Sequence, residues 1–371
     1  MKPCEEVRHI ITTIDLGGAE NQLLLLAEMQ IKSGLSVEIV YLKGQGELQS
    51  SFEELGASVI DSLANKNFTK QIFLLRKLNR NFKGVIHLHL PQAELAHRLT
   101  FLKKVTVTSR HYGNKFSPRS NFLISVFLSN FAASGSNSII AISNHVSKYL
   151  LSSREVIRNG KIVTVTYGFN KESYLKRKRN IINITNNVNS KAIKIGCVAR
   201  LSEEKNHITL FRAVKQLKDD NYDVILYLAG EGDYRHHLEK ETDILGITAN
   251  VLFLGKIDYI PDLISAMDLL VLPSIFEGFG MIIMEALANE KVIICANNSA
   301  MSEILESDLP DTLFKTFDYL DLANKILKHS AKPSEENYNQ RFNLILSRFS
   351  SEIMNQKILN IYNSILNTKR V

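Results

Sequence analysis

Short apolar, β-branched runs alternate with helix-period stretches along almost the whole of this chain, and few architectures accept that pattern. Strands buried on both faces read as continuous apolar runs, and helices between them supply the crossovers of a parallel sheet. In the first half the strand candidates are Val7–Thr13, Val37–Leu42, Ser58–Ile60, Val85–His89, Val105–Ser109 and Ser138–Ile142. Helix-period segments over Ala19–Lys32, Phe68–Phe82, Gln92–Leu102 and His145–Ser152 lie among them. The alternation pauses at "YLKRKRNIINITNNVNSK", Tyr174 to Lys191, which is basic, then Asn-rich, and reads as a loop. It resumes with "AIKIGCVARL", "YDVILYLAGEG", "NVLFLG", "DLLVLPS" and "KVIICA", and ends in two helices over Ser334–Leu346 and Phe349–Asn367.

This order predicts an α/β chain of two Rossmann-like doubly wound domains facing a central cleft. Residues 1–170 form the first domain, 171–349 the second, and 350–371 a closing helix. At 371 residues and 45% hydrophobic content the chain can fill two cores. The stretch from Phe122 to Ile142 breaks at Ser129-Asn130, too soon to span a bilayer, and is expected to be a buried helix followed by a strand. The N-terminus has no apolar run before a small-residue cleavage site, so no secretion signal is expected. Cys4, Cys197 and Cys295 lie far apart in no metal spacing and read as buried, reduced thiols of a cytoplasmic protein. No G-x-G-x-x-G occurs, which argues against a dinucleotide dehydrogenase.

The chemistry concentrates in "PSIFEGFGMIIMEALA", Pro273 to Ala288. "DLLVLPS" reads as a strand, Glu277-Gly278-Phe279-Gly280 as its carboxyl-end loop, and a helix is expected from about Met281. Such a loop offers backbone N–H groups and a helix N-terminus to a phosphate, and glycine lets the backbone come close. Glu277 and Glu285 fall at most roughly 12 Å apart on helical geometry, enough to grip a hydroxylated group on either side of a diphosphate. Arg200 and Lys205 in "GCVARLSEEKNH" follow another strand and supply cations for that diphosphate. Gly17 and Gly18 in "TIDLGGAENQ" end the first strand ahead of a helix.

Together these residues resemble the retaining glycosyltransferases of family 4, with the two-domain architecture called GT-B. The resemblance rests on Gly17-Gly18-Ala19-Glu20, Arg200 with Lys205, Gly230-Glu231-Gly232, the pair Glu277 and Glu285, and the strand-end histidine of "TSRHYG", His111. It covers essentially the whole chain, and implies a C-terminal helix that crosses back to the first domain. It implies that Arg200 and Lys205 bind the donor pyrophosphate, that Glu277 holds sugar hydroxyls and that Glu285 holds the ribose. Gly278, Phe279 and Gly280 would complete the donor loop, and Gly17 and Gly18 would line the phosphate and acceptor side. It assigns His111 and Glu277 to catalysis, with His111 near the anomeric centre. His87 and His89 in "IHLHLP" are expected to be structural or to line the cleft rather than to bind metal. Asn297-Asn298-Ser299-Ala300, Thr166–Asn170 and Asn21 depart from the usual family pattern, so Asn298 and Ser299 are not expected in the site.

The implied reaction moves a hexose or N-acetylhexosamine from a nucleoside-diphosphate sugar to a glycan or lipid-linked glycan acceptor, in cell-surface polysaccharide biosynthesis. It would retain anomeric configuration, with the leaving phosphate assisting on one face of the sugar. No Asp-x-Asp occurs, so no metal and no cofactor is expected. A catalytically silent binding or scaffold protein of the same fold, or a sugar-nucleotide epimerase, is the alternative. Residues 1–170 carry 20 Lys and Arg against 12 Asp and Glu, and the remainder 25 against 26. The basic half suits an anionic membrane surface, making a peripheral location at the inner face of the cytoplasmic membrane a candidate; ordinary solvated surface charge is the plain alternative. Nucleic acid is not expected, because the basic stretches lack interleaved aromatics and a reading motif.

Overall fold

The protein is described by a computed structural model, over residues 3–118, 120–157, 161–176, 191–257, 260–330 and 335–368. The chain divides into two compact units, one of Met1–Phe169 with Phe349–Val371 and one of Asn170–Arg348.

The first unit holds a seven-stranded parallel sheet: β1 (Glu6–Thr13), β2 (Ser36–Lys43), β3 (Ser58–Ile60), β4 (Val85–His89), β5 (Thr106–Arg110), β6 (Ser138–Ala141) and β7 (Ile162–Thr164). Its spatial order is β3-β2-β1-β4-β5-β6-β7. The order reverses between β1 and β4, where ligands bind in doubly wound sheets. Val7, Ile11, Val37, Ile39, Val85, Val107 and Ile140 are buried on one core of the sheet. The other core gathers Ile10, Val40, Ile86 and Leu88. The final helix, Ser351–Thr368, seals the first of these cores with Met354, Ile358 and Tyr362. The chain leaves this unit at Phe169 and returns beside the same residue: Phe169 N–H donates to the Phe349 carbonyl at 2.8 Å and Ser351 N–H to the Phe169 carbonyl at 3.1 Å.

The second unit holds β8 (Ile193–Val198), β9 (Val224–Ala229), β10 (Val251–Gly255), β11 (Leu269–Leu272), β12 (Ile293–Ala296) and β13 (Leu313–Phe314). They form a parallel sheet ordered β10-β9-β8-β11-β12-β13, which reverses between β8 and β11. Each half is therefore an α/β doubly wound unit in its own right.

Among the described residues, the elements that escape the sequence pattern include β7, β13 and the helix Gln49–Glu54. All are short, and β7 and β13 are edge strands paired on one side only, so neither needs a long apolar run. Within the expected loop Tyr174–Lys191, residues 174–176 end a helix, Lys171–Lys176, and residues 177–190 lie outside the described residues.

The helix Phe122–Ser134 overturns the expectation of a buried helix. It buries Ser125, Ser129, Ala132 and Ala133 and turns Phe122, Leu123, Ile124 and Phe127 outward, the last two 48% and 70% exposed. The serines turn inward because the unit has buried polar partners for them: Ser129 Oγ donates to the Glu155 carbonyl and accepts from Arg110 Nη1, and Ser125 Oγ donates to Glu155 Oε1.

Candidate active site

In the second unit the predicted donor residues gather at the carboxyl ends of β8 and β11, the two strands flanking the reversal. The helix of Met281–Ala288 starts where the sequence places it, capped by Gly280 at φ +84 with no side-chain acceptor. That backbone suits glycine and leaves the first turn's N–H groups uncapped by a side chain. Glu285 sits half-buried in that helix and Glu277 in the loop ahead of it. Phe279 is buried, so its ring anchors the loop. Gly278 lies half-buried between Glu277 and Phe279.

Lys205 and Glu277 meet. Lys205 Nζ donates to Glu277 Oε1 at 2.6 Å, with both side chains about 85% buried (15% and 14% exposed). Ser274 Oγ donates to the same oxygen at 2.7 Å, and Ser299 Oγ accepts from Glu277 N–H at 3.1 Å. Asn298 ties Ser274 to this group, Nδ2 donating to the Ser274 carbonyl, and its Oδ1 accepts from Ser299 Oγ. Asn298 and Ser299, set aside on sequence, therefore hold the Glu277 loop in place. Their signal was faint: Ser299 takes φ +50, a conformation rare outside glycine and not legible in a serine. Lys205 is aimed by the next residue, Asn206, at φ 52, whose Nδ2 donates to the Pro273 carbonyl at the end of β11.

Arg200 stands apart from this buried pair. Its side chain is 67% exposed, 3.7 Å from Glu204. Its backbone is fixed by Gly230-Glu231-Gly232: Leu201 N–H donates to the Glu231 carbonyl at 3.0 Å. A Cβ at Gly230 or Gly232 would lie 2.0 or 2.1 Å from the Ala199 or Leu201 carbonyl oxygen, so glycine is what lets the two loops touch. Cys197 and Cys295 are buried nearby; burial pushes the Cys197 thiol up to about 12 and raises the Cys295 thiol well above its ordinary value, which makes both inert.

In the first unit Gly17 and Gly18 end the β1 loop at the start of the helix Gly18–Lys32. Gly17 is tightly placed: a Cβ there would meet the Glu20 carboxylate at 2.4 Å, and burial raises the Glu20 pKa. Asp15, beside them, accepts N–H bonds from Gln45 and Gly46 and so pins the β1 loop to the β2 loop.

His111 follows β5 and is 7% exposed. It does not stand alone. His111 Nε2 lies 3.2 Å from His89 Nδ1, and His89 Nε2 lies 3.0 Å from His9 Nδ1. His9 Nε2 lies 2.8 Å from Gln30 Oε1, and His111 Nδ1 lies 2.5 Å from the Tyr167 hydroxyl. His87 meets Tyr362 of the final helix at 2.6 Å and Ser109 at 2.8 Å. Register explains the convergence, since His9 pairs with His87 across β1 and β4. Burial lowers His9 to about 4 and His111 to about 3, with Arg110 adding to the latter, and lowers His87 and His89 well below 6.5. Among the described residues, the group of nitrogen ligands close enough to share a metal ion is His9, His87 and His89. Their nitrogens are already matched to one another or to Gln30, Tyr362, Ser109 and His111. Sequence reading singled out His87, His89 and His111 but had no reason to add His9, Gln30, Tyr167 or Tyr362.

Beside His111, Arg110 lies 2.8 Å from Glu94 and 3.8 Å from Glu155, all buried. Burial raises Glu94 to about 7 against the opposing pull of Arg110.

Residues 178–343 match the family model of glycosyl transferases group 1. Among curated proteins the chain is 33% identical over 115 residues to the putative glycosyltransferase EpsF of Bacillus subtilis, covering 31% of this chain and 29% of that protein. It is 23% identical over 284 residues to a UDP-Gal:alpha-D-GlcNAc-diphosphoundecaprenol alpha-1,3-galactosyltransferase of Escherichia coli, covering 71% and 70%. The chain spans about a third of the length of the curated relatives it first matches. Among solved structures, Anabaena Alr3699/HepE in complex with UDP-glucose superposes with TM-score 0.81 at 20% identity, over 97% of this chain and 99% of that one. A glycosyltransferase from Rickettsia africae ESF-5 gives 0.77 at 19%, over 98% and 99%. These likenesses establish the GT-B fold. Over the second unit the chain is similar to the glycosyl transferases group 1, and its curated relatives carry glycosyltransferase names.

Proposed function

We propose that this protein transfers a hexose or N-acetylhexosamine from a nucleoside-diphosphate sugar to a glycan acceptor, with retention and without a metal ion. The buried Lys205–Glu277 pair at the foot of the helix Met281–Ala288 carries this reading, lying inside the segment matched to the family. One ammonium hydrogen bonds to Glu277, and the ammonium has two more to offer a diphosphate oxygen. Glu277 keeps acceptor capacity for a sugar hydroxyl, and Glu285 is the candidate for the ribose. Charge developing on the leaving diphosphate is met by Lys205, Arg200 and the helix N-terminus, the preorganised electrostatics such a step needs. UDP and UDP-glucose occupy the Anabaena neighbour, which supports a nucleotide-sugar donor. The names of relatives in lipopolysaccharide and diphosphoundecaprenol glycan synthesis support a lipid-linked acceptor.

The outward face of the helix Phe122–Ser134 supports docking at an anionic membrane surface. Lys115 reaches Ser120 at one end of the helix and Arg98 reaches Ser134 at the other, so cations bracket the exposed Phe122, Leu123, Ile124 and Phe127. Apolar side chains flanked by basic ones fit a headgroup boundary, and each nearby cation adds roughly 1 kcal/mol. No described helix is long and apolar enough to cross a membrane.

A panel of radiolabelled nucleotide-sugars offered with an undecaprenyl-diphosphate glycan, with and without EDTA, tests the reaction. Transfer from one donor that survives chelation is expected. Binding with neither transfer nor hydrolysis across the panel would favour a silent scaffold, and loss in EDTA restored by Mg²⁺ would overturn metal independence. Co-sedimentation with anionic but not neutral liposomes, abolished by Phe127→Ser with Leu123→Ser, tests docking.

A further inference from the structure

The histidines of the first unit form a chain of hydrogen bonds with one direction. Gln30 sets it at one end: its Oε1 faces His9 and its Nε2 donates to the Tyr362 hydroxyl at 3.3 Å. An amide oxygen only accepts, so His9 Nε2 carries hydrogen and His9 Nδ1 is bare. His9 Nδ1 then requires a donor, which must be His89 Nε2–H. His89 Nδ1 is bare in turn and takes its hydrogen from His111 Nε2–H. That leaves His111 Nδ1 as an acceptor, and the Tyr167 hydroxyl donates to it. The opposite end is compatible, because a phenol hydroxyl can donate to a bare imidazole nitrogen. A second branch runs the same way: Tyr362 O–H accepts from Gln30, donates to His87 Nδ1, and His87 Nε2–H donates to Ser109 Oγ. Seven links are satisfied with every imidazole neutral and every one in the same tautomer. Adding a proton to His9 or His89 would put two N–H donors face to face at one link, and adding one to His87 or His111 would force the facing tyrosine hydroxyl to turn from donor to acceptor.

We propose that His89, His9 and Gln30 are positioning residues that fix His111 as a neutral imidazole whose Nδ1 can only accept, so that the group it engages outside the chain is a hydroxyl and never a phosphate oxygen. Phosphate oxygens at neutral pH are acceptors and find nothing to bond at a bare nitrogen. A sugar or acceptor hydroxyl does, by taking the place of Tyr167. The charged and titratable groups around His111 include Arg110 on β5, His87 and His89 on β4, His9 on β1 and Tyr167; burial and Arg110 both oppose protonation of the ring. This division of labour rests on the transferase reading: hydroxyl recognition falls to the first unit and diphosphate recognition to the second. The chain is not a proton conductor, because the Gln30 amide has no proton to relay.

Long-range ¹H–¹⁵N correlation on the full-length protein labelled at histidine tests this without any substrate. At pH 7, His9, His87, His89 and His111 are expected as Nε2–H tautomers with bare Nδ1. A protonated Nδ1 or an imidazolium at His111 would overturn the proposal. So would tight uptake of Zn²⁺ that shifts His9, His87 and His89 together, which would make the cluster a metal site. Gln30→Met removes the anchoring acceptor and should mix the tautomers at His111, whereas Gln30→Glu keeps an acceptor toward His9 and should restore them. Unchanged spectra in Gln30→Met would end the idea. In turnover, Gln30→Met should lower kcat roughly tenfold with the donor KM held, the signature of a misplaced reacting group. Ordered tautomers in a protein inactive toward every donor would sink the transferase reading alone.

Discussion

The two units place their candidate residues at equivalent points, the carboxyl ends of strands flanking a sheet reversal, yet build them from opposite materials. The second unit uses charge: Lys205 on Glu277 in a part-buried pair, and Arg200 exposed beside Glu204. The first uses neutral rings, His9, His87, His89 and His111, sunk among Tyr167, Tyr362 and Gln30. A part-buried charged pair can meet a diphosphate, because the Lys205 ammonium keeps N–H groups beyond the one given to Glu277. Neutral imidazoles in a dry interior are fixed donors and acceptors, good for reading hydroxyls and poor at holding anions. The comparison also predicts where acid and substitution will hurt.

The largest contrast should be in pH. Between pH 6.5 and 5.5 an unfolded chain protonates its histidines, while His9, His87, His89, His97 and His111 stay neutral in the folded first unit, each lowered by burial. The unfolded state then binds more protons, so stability falls as pH falls, by about 1.4 kcal/mol per pH unit for each proton of difference. Glu94, held up near 7, works the other way in the same window: folded, it takes up a proton that the unfolded chain does not. In the second unit burial lowers His207 and His329, neither of which lies in a linked cluster of imidazole rings among the described residues. Hydrogen exchange at pH 5.5, corrected for intrinsic rates, should open β1, β4 and β5 well before β8, β9 and β11. Glu94→Gln, which removes the opposing proton, should steepen that loss. Simultaneous opening of both units would mean that the buried rings do not govern acid stability.

Next comes Lys205→Ala, which should cost on the order of 3 kcal/mol in kcat/KM, more than a hundredfold, by removing a cation from a partly dry site and stranding Glu277. Because the two touch, the pair Lys205→Ala with Glu277→Gln should lose less than the sum of the single losses. Additive losses would separate them into independent roles.

That difference in materials also explains what could be read from sequence. The second unit's site is local: Glu277, Gly280 and Glu285 lie within nine residues, and Arg200 and Lys205 within six, so each motif can be seen in one short stretch of sequence and matched to a family. The first unit's site is assembled by register. His9 and His87 are neighbours only because β1 and β4 pair in parallel, and Tyr362 arrives from the last helix. No periodicity links residues that far apart. The helix Phe122–Ser134 misled for a related reason: hydropathy expects Phe and Leu inward, but buried Arg110 and Glu155 demand hydroxyl partners and pull Ser125 and Ser129 in instead.

A smaller effect should follow Gly230→Ala. The loop after β9 touches the Arg200 segment backbone to backbone, at φ +143 and with a Cβ only 2.0 Å from the Ala199 carbonyl oxygen. The strain is expected to cost roughly 2 kcal/mol of stability, read as a lower urea midpoint with m unchanged. It should weaken donor binding through Arg200 while leaving the Lys205–Glu277 pair in place. An unshifted midpoint would show that the two loops need not touch.

The smallest effect sharpens the contrast inside the second unit itself. The family resemblance implies the same duty for Arg200 and Lys205, but their surroundings differ. Arg200 is two-thirds exposed and faces Glu204, four residues along, at 3.7 Å, where water screens both charges. An exposed guanidinium held by such a pair contributes about 1 kcal/mol or less. Arg200→Ala should therefore lower kcat/KM only about fivefold, chiefly through donor KM, and the loss should shrink further in high salt. Lys205→Ala should keep its large deficit at every ionic strength, because its partner is mostly buried. A loss from Arg200→Ala as deep as that from Lys205→Ala, and equally indifferent to salt, would mean that donor binding buries Arg200 against the diphosphate.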